Sequence, residues 1–250
     1  MARPSSAGVW GALADLVLPG ECAGCRQARV PLREGACADC VTRLRTLRPG
    51  PVRPTPAPPG LPDCVALGDY QGVLREMLLA YKERGRHGLA RPLGSLLAEV
   101  VAEGVTARPG SSGGGRAPVP VLLVPVPATA RAVRDRHGDH LRRLSRHAAA
   151  RLRRGGWAVT VASPLRALPR PDSTDLDSSG RAAAAATAFR LRAGRLPALH
   201  RLTAGRQVVV IDDIVTTGVT LAAVTRLLGS AGVPVTVAAV LAATIRHGAW

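Results

Sequence analysis

The sequence has few aromatic side chains and no long apolar run. Phenylalanine, tryptophan and tyrosine together make up 2% of its 250 residues. Proteins that bind single-stranded nucleic acid by base stacking use such side chains as platforms, so their scarcity argues against that mode of binding. No stretch reaches the roughly 18 apolar residues of a membrane-spanning helix, which excludes insertion into a membrane.

A secretory signal is not indicated either. The apolar stretch at 9–18 is interrupted by Asp15 and followed by Gly-Glu-Cys, where a signal peptide would have a small-residue cleavage site. We therefore expect a cytoplasmic protein. In that compartment its five cysteines are reduced or bound to metal rather than paired in disulfides.

Arginine is what the chain has in excess. Lysine and arginine number 34 against 17 acidic residues, which gives a net charge of +17, and Lys82 is the only lysine. We attribute part of this excess to GC-rich codon usage. The charge predicts attraction to polyanions, either phosphorylated small molecules or nucleic acid. For the basic stretch at 142–154, a solvated helix face is a simpler explanation than DNA binding.

The chain length predicts one or two domains, since about 150 residues per domain is usual. The proline-rich segment 49–62 cannot form a helix or a central strand and is predicted to be a linker. It divides the chain into residues 1–62 and 63–250. Residues 108–118, rich in glycine and serine, predict a flexible surface loop.

Helical and strand patterns alternate along the chain. Apolar spacing predicts helices over 73–81, 89–101, 141–152 and 220–228. Short apolar runs predict strands at 119–126, 159–162, 207–211 and 233–242. This alternation is typical of an α/β fold with a mainly parallel sheet flanked by helices.

The most informative segment is 208–220, which reads VVVIDDIVTTGVT. A buried strand leads to Asp212 and Asp213, and a turn rich in threonine and glycine then opens a helix. Ligands of open α/β sheets bind beyond the carboxyl ends of the strands, and a helix N-terminus of this kind binds phosphate. It lacks the lysine of a P-loop, which argues against a triphosphate ligand. Paired carboxylates beside a phosphate site suit a ribose 5′-phosphate, because they accept hydrogen bonds from its hydroxyls.

This segment resembles, at every position, the phosphoribosyl pyrophosphate (PRPP) motif of type I phosphoribosyltransferases. The resemblance implies that Asp212 and Asp213 hold the ribose hydroxyls at the catalytic centre, and that Mg²⁺ binds pyrophosphate and ribose oxygens. The residues that would hold the 5′-phosphate are Thr216, Thr217, Gly218 and Thr220. Two alternatives stay open: aspartates that merely cap the turn, and a PRPP-binding protein without catalysis.

The order of motifs along nearly the whole chain is similar to the ComF family, phosphoribosyltransferase-like proteins associated with competence and DNA uptake. The shared elements are two Cys-x₂-Cys pairs, the Tyr-x-Gly-x-Leu-Arg stretch at 70–75 followed by Lys82, the Val-Pro-Val-Pro stretch at 124–127, and 208–220. The resemblance implies phosphoribosyl transfer from PRPP to an unknown acceptor. DNA, DNA-uptake proteins or further copies of the chain are the partners it allows.

Two stretches depart from the family's pattern, at 136–140 and 172–181. A catalytically weak PRPP- or DNA-binding accessory component of the DNA-uptake machinery is therefore the alternative function. A cavity for an acceptor beside Asp212 and Asp213 would favour the enzyme.

Three further elements would complete the ligand site. Lys82 ends a predicted helix and would contact phosphate or pyrophosphate, although a solvated helix end also favours a cation. The pyrophosphate loop would be formed by Pro125, Val126 and Pro127, for which a simple turn is the alternative. Residues 163–187 are predicted to be a polar, mobile loop that closes over the site.

The cysteines predict a second site. Two Cys-x₂-Cys pairs, eleven residues apart, offer the thiolates of Cys22, Cys25, Cys37 and Cys40. Such pairs bind Zn²⁺ tetrahedrally, and the lack of a nearby histidine favours a structural site. Surface thiols or a redox pair are the alternatives. Cys64 stands alone and is predicted to be a small buried residue.

Overall fold

A computed structural model describes residues 20–107, 119–136, 138–169 and 187–244. The predicted loop at 108–118, the departing stretch at 172–181 and most of the predicted closing loop lie outside these residues.

Seven α-helices lie in the described part of the chain. They are α1 (Ala38–Thr46), α2 (Gly72–Lys82), α3 (Ala90–Thr106), α4 (Ala130–Asp135), α5 (His140–Arg154), α6 (Leu196–Thr203) and α7 (Val219–Ser230). Within the described segments, none combines the length and the apolar character that crossing a membrane requires.

The eight strands of the described residues form two sheets. They are β1 (Gly50–Val52), β2 (Cys64–Asp69), β3 (Val121–Pro125), β4 (Val159–Val161), β5 (Leu165–Ala167), β6 (Phe189–Leu191), β7 (Gln207–Val215) and β8 (Val237–Ala243). The main sheet has the order β1-β2-β8-β7-β3-β4, and β5 pairs with β6 in a small antiparallel sheet.

The main sheet is parallel apart from its edge strand β1, which runs antiparallel to β2. Every residue of β3 and β8 is buried, as expected when helices cover both faces of a parallel sheet. The predicted fold class is therefore confirmed: the protein is α/β, with a mostly parallel central sheet flanked by helices.

Helices α3 and α5 pack against each other and against the sheet. Gly94 of α3 makes this close approach possible. A Cβ atom at Gly94 would lie 2.5 Å from Cβ of His147 and 3.0 Å from the carbonyl oxygen of Leu144, both on α5. The N-terminal end of α5, which reaches the candidate site, is held in place by this contact.

Strand β7 is longer than the sequence pattern predicted. It continues past the apolar run to Val215, so Asp212 and Asp213 lie within the strand. Strand β8 causes the extension, because Ile214 pairs with Ala242 and Val215 with Ala243. Strand β8 itself begins after Pro234, which has no N–H to donate to a neighbouring strand.

The proline-rich segment is partly integrated into the sheet rather than being a free linker. Residues 50–52 form the edge strand β1, the one sheet position where proline is tolerated. Further along the segment, Pro54 and Leu61 lie close to Gly218 of the predicted phosphate loop. A domain boundary at residue 62 stays a prediction.

We expect Gly94→Ala to destabilise the protein by roughly 1–3 kcal/mol, because the added methyl group has no space against α5. Urea unfolding measures the change as a lower midpoint at unchanged slope. Gly229→Ala is the matched control, since Gly229 is exposed in α7 and a Cβ there meets no atom within 4 Å. That variant should be stabilised by about 0.5–1 kcal/mol. Equal stability of the Gly94→Ala variant and the wild type would contradict the close packing of α3 and α5.

Candidate ligand site and metal centre

A cavity of 260 Å³ lies beyond the carboxyl ends of β3 and β7. This is where ligands of parallel α/β sheets bind. Its polar lining consists of Lys82, Thr129, Arg136, His140, Asp212, Asp213 and Thr220. The apolar part of the lining includes Val126, Leu141, Ala167 and Phe189.

Asp213 is the charged centre of this cavity. Its Oδ2 atom lies 3.0 Å from Nζ of Lys82 and 2.8 Å from Nε2 of His140. Burial by itself would raise the pKa of Asp213, but the hydrogen bond from His140 and the charge of Lys82 outweigh burial and lower it. Asp213 is therefore ionised at neutral pH.

Asp212 has a different environment. Its Oδ1 atom accepts a hydrogen bond of 2.9 Å from the backbone N–H of Asp213, and no cation of the described residues forms an ion pair with it. Burial, and next the negative charge of Asp213, raise the pKa of Asp212 to about 8. Ionisation of both neighbouring carboxyls is therefore disfavoured, because two adjacent negative charges repel each other.

Lys82 lies at the C-terminal end of α2, and its side chain is 18% exposed. Its ammonium group is paired with Asp213, so it does not form a solvated helix end. Arg136, the other cation named in the cavity lining, is paired with Glu83 at 3.0 Å. Both cations line the cavity, and both already have a carboxylate partner.

The predicted phosphate loop connects β7 to α7. Gly218 has a φ of +74°, a conformation that favours glycine, and it is the residue before the first turn of α7. A Cβ atom at Gly218 would also lie 2.9 Å from Cδ1 of Leu61. Thr216 and Thr217 are exposed, whereas Thr220 lines the cavity. Backbone N–H groups at the start of this twelve-residue helix are available to an anion.

The predicted pyrophosphate loop lies next to the carboxylates. Pro125 is the last residue of β3, and the backbone N–H of Val126 donates to the carbonyl oxygen of Ile211 at 2.9 Å. Pro127 lines the cavity. Beyond it, Thr129 caps α4 by accepting a hydrogen bond from the N–H of Ala132 at 3.2 Å. The turn therefore forms one wall of the cavity.

The cavity lining includes residues that were not among the predicted site residues. Arg136 and His140 belong to the stretch that departs from the family's pattern; Arg136 was recognised only as close to the site in sequence, and the departure was the only signal for His140. Phe189 is the single phenylalanine of the chain and lies in β6, which pairs with β5. Strand β5 lies within the segment 163–187 that was predicted to be a loop.

The four cysteines form a separate cluster in which all sulfur atoms lie within 4.8 Å of one another. The Sγ atoms of Cys25 and Cys37 are 3.8 Å apart. A zinc–sulfur bond of about 2.3 Å gives a tetrahedron with edges of about 3.8 Å, so the spacing fits this ion. The cluster could therefore hold a structural metal such as zinc.

Backbone N–H groups around the cluster favour the thiolate of Cys22. Those of Gly24 and Cys37 donate to its Sγ atom at 3.4 and 3.2 Å. Burial alone would raise the pKa of Cys22, but the backbone donors of Cys25, Cys37 and Gly24 outweigh burial and lower it to about 6. Burial raises the pKa of Cys40 instead. Cys64 is buried outside the cluster and donates to the carbonyl oxygen of Pro62, which confirms its prediction as a small buried residue.

The cysteine cluster is attached to α2, the helix that carries Lys82. Arg26, which lies beside Cys25, forms an ion pair of 2.8 Å with Glu76 of α2. A Cβ atom at Gly24 would lie 2.8 Å from Cγ1 of Val73, also on α2. The cysteine segment therefore packs on the first half of α2, and Lys82 at the end of the same helix reaches the cavity.

The comparison with known families agrees with this geometry. The family model for the phosphoribosyl transferase domain matches residues 169–249. This region contains β7, the loop after it and β8, and covers about a third of the chain. The match supports the phosphoribosyltransferase family for this region. A search of curated proteins returns no match.

We expect the purified protein to hold about one zinc ion per chain, and Cys40→Ser to lose it, because the remaining three thiolates bind the ion less tightly. Elemental analysis after dialysis measures the zinc content. Cys64→Ser is the matched control and should keep the ion, since Cys64 is buried but lies outside the cluster. Zinc retained in full by Cys40→Ser would contradict the assignment.

Proposed function

We propose that the protein is a phosphoribosyltransferase of the ComF type, which binds PRPP together with Mg²⁺ and transfers its phosphoribosyl group. The observation that carries this proposal is the cavity beside Asp212 and Asp213. Its lining includes Thr220, in the first turn of α7, and apolar side chains such as those of Phe189 and Leu141. The domain match at 169–249 supports the same reaction class. A cytoplasmic location and a role linked to DNA uptake belong to this proposal.

In the proposed complex, each part of PRPP meets a matching part of the cavity. The ribose hydroxyls donate to Asp212 and Asp213, and the 5′-phosphate accepts hydrogen bonds at the start of α7. The pyrophosphate lies along the loop at 125–129. The acceptor enters along the apolar wall that includes Phe189 and Leu141.

Mg²⁺ fits this site through the ligand's own oxygens. Lys82 and Arg136 are already paired with Asp213 and Glu83. A pyrophosphate group that enters beside them needs further neutralisation of charge, which a magnesium ion bound to its oxygens supplies.

The reaction exchanges one bond at the anomeric carbon for another. The bond from this carbon to the pyrophosphate oxygen breaks, and its electron pair leaves with pyrophosphate. The acceptor forms the new bond and releases its proton to solvent. Positive charge develops on the ribose ring between these events, and the carboxylate of Asp213 stabilises it in a cavity that is partly shielded from water.

Replacing the carboxylates tests the binding site. We expect Asp212→Asn/Asp213→Asn to weaken the binding of PRPP with Mg²⁺ by about tenfold or more, since hydrogen bonds to charged groups contribute about 1.5–3 kcal/mol each. Titration calorimetry measures the affinity. Asp69→Asn is the matched control, because Asp69 also ends a strand of the sheet but lies outside the cavity. Failure of the wild type to bind PRPP would overturn the proposal.

An assay of pyrophosphate release distinguishes phosphoribosyl transfer from the binding of PRPP alone. With candidate nucleobase and amine acceptors, we expect pyrophosphate release that the double variant lacks. Tight PRPP binding without release by any acceptor would instead support the accessory binding component. Affinity for DNA that falls steeply with salt and survives Asp212→Asn would indicate a generic DNA-binding protein.

The affinity for PRPP should rise with pH up to about 8. Asp212 is protonated in the free protein because its pKa is raised to about 8, whereas a ribose hydroxyl donates best to the ionised form. Binding therefore releases a proton at neutral pH.

Calorimetry in two buffers of different ionisation enthalpy measures the number of protons released on binding. PRPP itself also releases or takes up protons, so this number is compared between the wild type and Asp212→Asn at one pH. An equal number of protons for both proteins would contradict the raised pKa of Asp212.

A further inference from the structure

His140 contacts the same oxygen of the Asp213 carboxylate as Lys82 does. It is the first residue of α5 and is 8% exposed. Tyr81 donates a hydrogen bond of 2.8 Å from its hydroxyl to the backbone carbonyl of His140. The two rings meet edge to face, with centroids 6.3 Å apart. The imidazole ring is therefore held by α5, by the side chain of Tyr81 and by Asp213.

His140 and Lys82 share one oxygen of Asp213. The Nε2 atom of His140 and Nζ of Lys82 both contact Oδ2, at 2.8 and 3.0 Å. Neither contact uses Oδ1. The carboxylate therefore has one oxygen engaged with the protein and a second that remains for a ligand in the cavity.

The other ring nitrogen decides the form of the imidazole. Nδ1 of His140 is buried and has no hydrogen-bond partner among the described residues. A proton on Nδ1 would be a buried donor without an acceptor, which is costly. A proton on Nε2, by contrast, is directed at Asp213 and has an acceptor there.

Lysine alone would hold Asp213 less well. An ammonium group on a flexible four-carbon chain supplies charge but little direction. The imidazole of His140 supplies direction, because its ring is short, planar and anchored on a packed helix. Together the two groups provide the charge and the orientation that a ribose-binding carboxylate needs.

We propose that His140 is a positioning residue for the PRPP site: through its Nε2–H donor it orients Asp213 so that Oδ1 faces the ribose hydroxyls. This inference rests on the proposed function. It adds a residue that acts through Asp213 and is not required to contact PRPP itself.

Two substitutions separate positioning from packing. His140→Gln keeps an N–H donor of similar reach, whereas His140→Leu keeps the volume and removes the donor. We expect His140→Gln to bind PRPP with Mg²⁺ within about threefold of the wild type, and His140→Leu about tenfold or more weakly. His147→Gln, on the same helix but outside the cavity, is the matched control and should bind as the wild type does.

Nitrogen NMR of the histidine ring supplies a readout that does not depend on any variant folding. In the wild type, we expect the signal of an imidazole that carries a proton on Nε2. A ring protonated on Nδ1 alone would overturn the inference. Thermal unfolding of each variant shows whether a loss of affinity accompanies a loss of the fold.

The outcomes distinguish this inference from the proposed function. If the wild type does not bind PRPP, the proposed function fails and the inference fails with it. If the wild type binds and folded His140→Leu binds equally well, only the inference fails. Equal losses of affinity and thermal stability in both His140 variants would show a purely structural role and would also overturn it.

Discussion

The buried carboxylate of Asp213 is the constraint around which the site is organised. A charge withdrawn from water is costly unless it is paired and hydrogen-bonded. Lys82 from α2 and His140 from α5 provide this pairing and hydrogen bonding for Asp213, which lies on β7. Three elements distant in sequence must therefore meet at one oxygen atom. Burial and the charge of Asp213 together raise the pKa of its neighbour Asp212, so the paired carboxyls differ before any ligand binds.

Helix α2 links the two sites of the molecule. Its first half packs on the cysteine cluster through Val73 and Glu76, and its last residue, Lys82, reaches Asp213. A metal ion in the cluster would supply folding energy that so small a segment cannot obtain from a core of its own. The cluster thus affects the cavity indirectly. It holds α2 in place, and α2 carries Lys82, whereas no cysteine of the cluster lines the cavity.

The fold class and the motif at 208–220 could be predicted from the sequence, since both depend on local patterns. The apolar run before Asp212 predicts a buried strand whatever its neighbours are. The small β5–β6 sheet was not accessible, because its two short strands lie on either side of a segment without a clear apolar period. The edge strand β1 within the proline-rich segment could not be predicted for a related reason: its three residues carry no strand pattern of their own, and pairing with β2 alone makes them a strand.

The sequence by itself determined the α/β class, the strand–loop–helix unit at 208–220 and the grouping of four cysteines, since each is written in neighbouring residues. Only the tertiary structure decided what surrounds Asp213. His140 lies 73 positions before it in the chain, and no periodicity connects them. They meet because α5 packs on α3 and on the sheet beside β7, and such packing depends on contacts between surfaces that are separate in sequence.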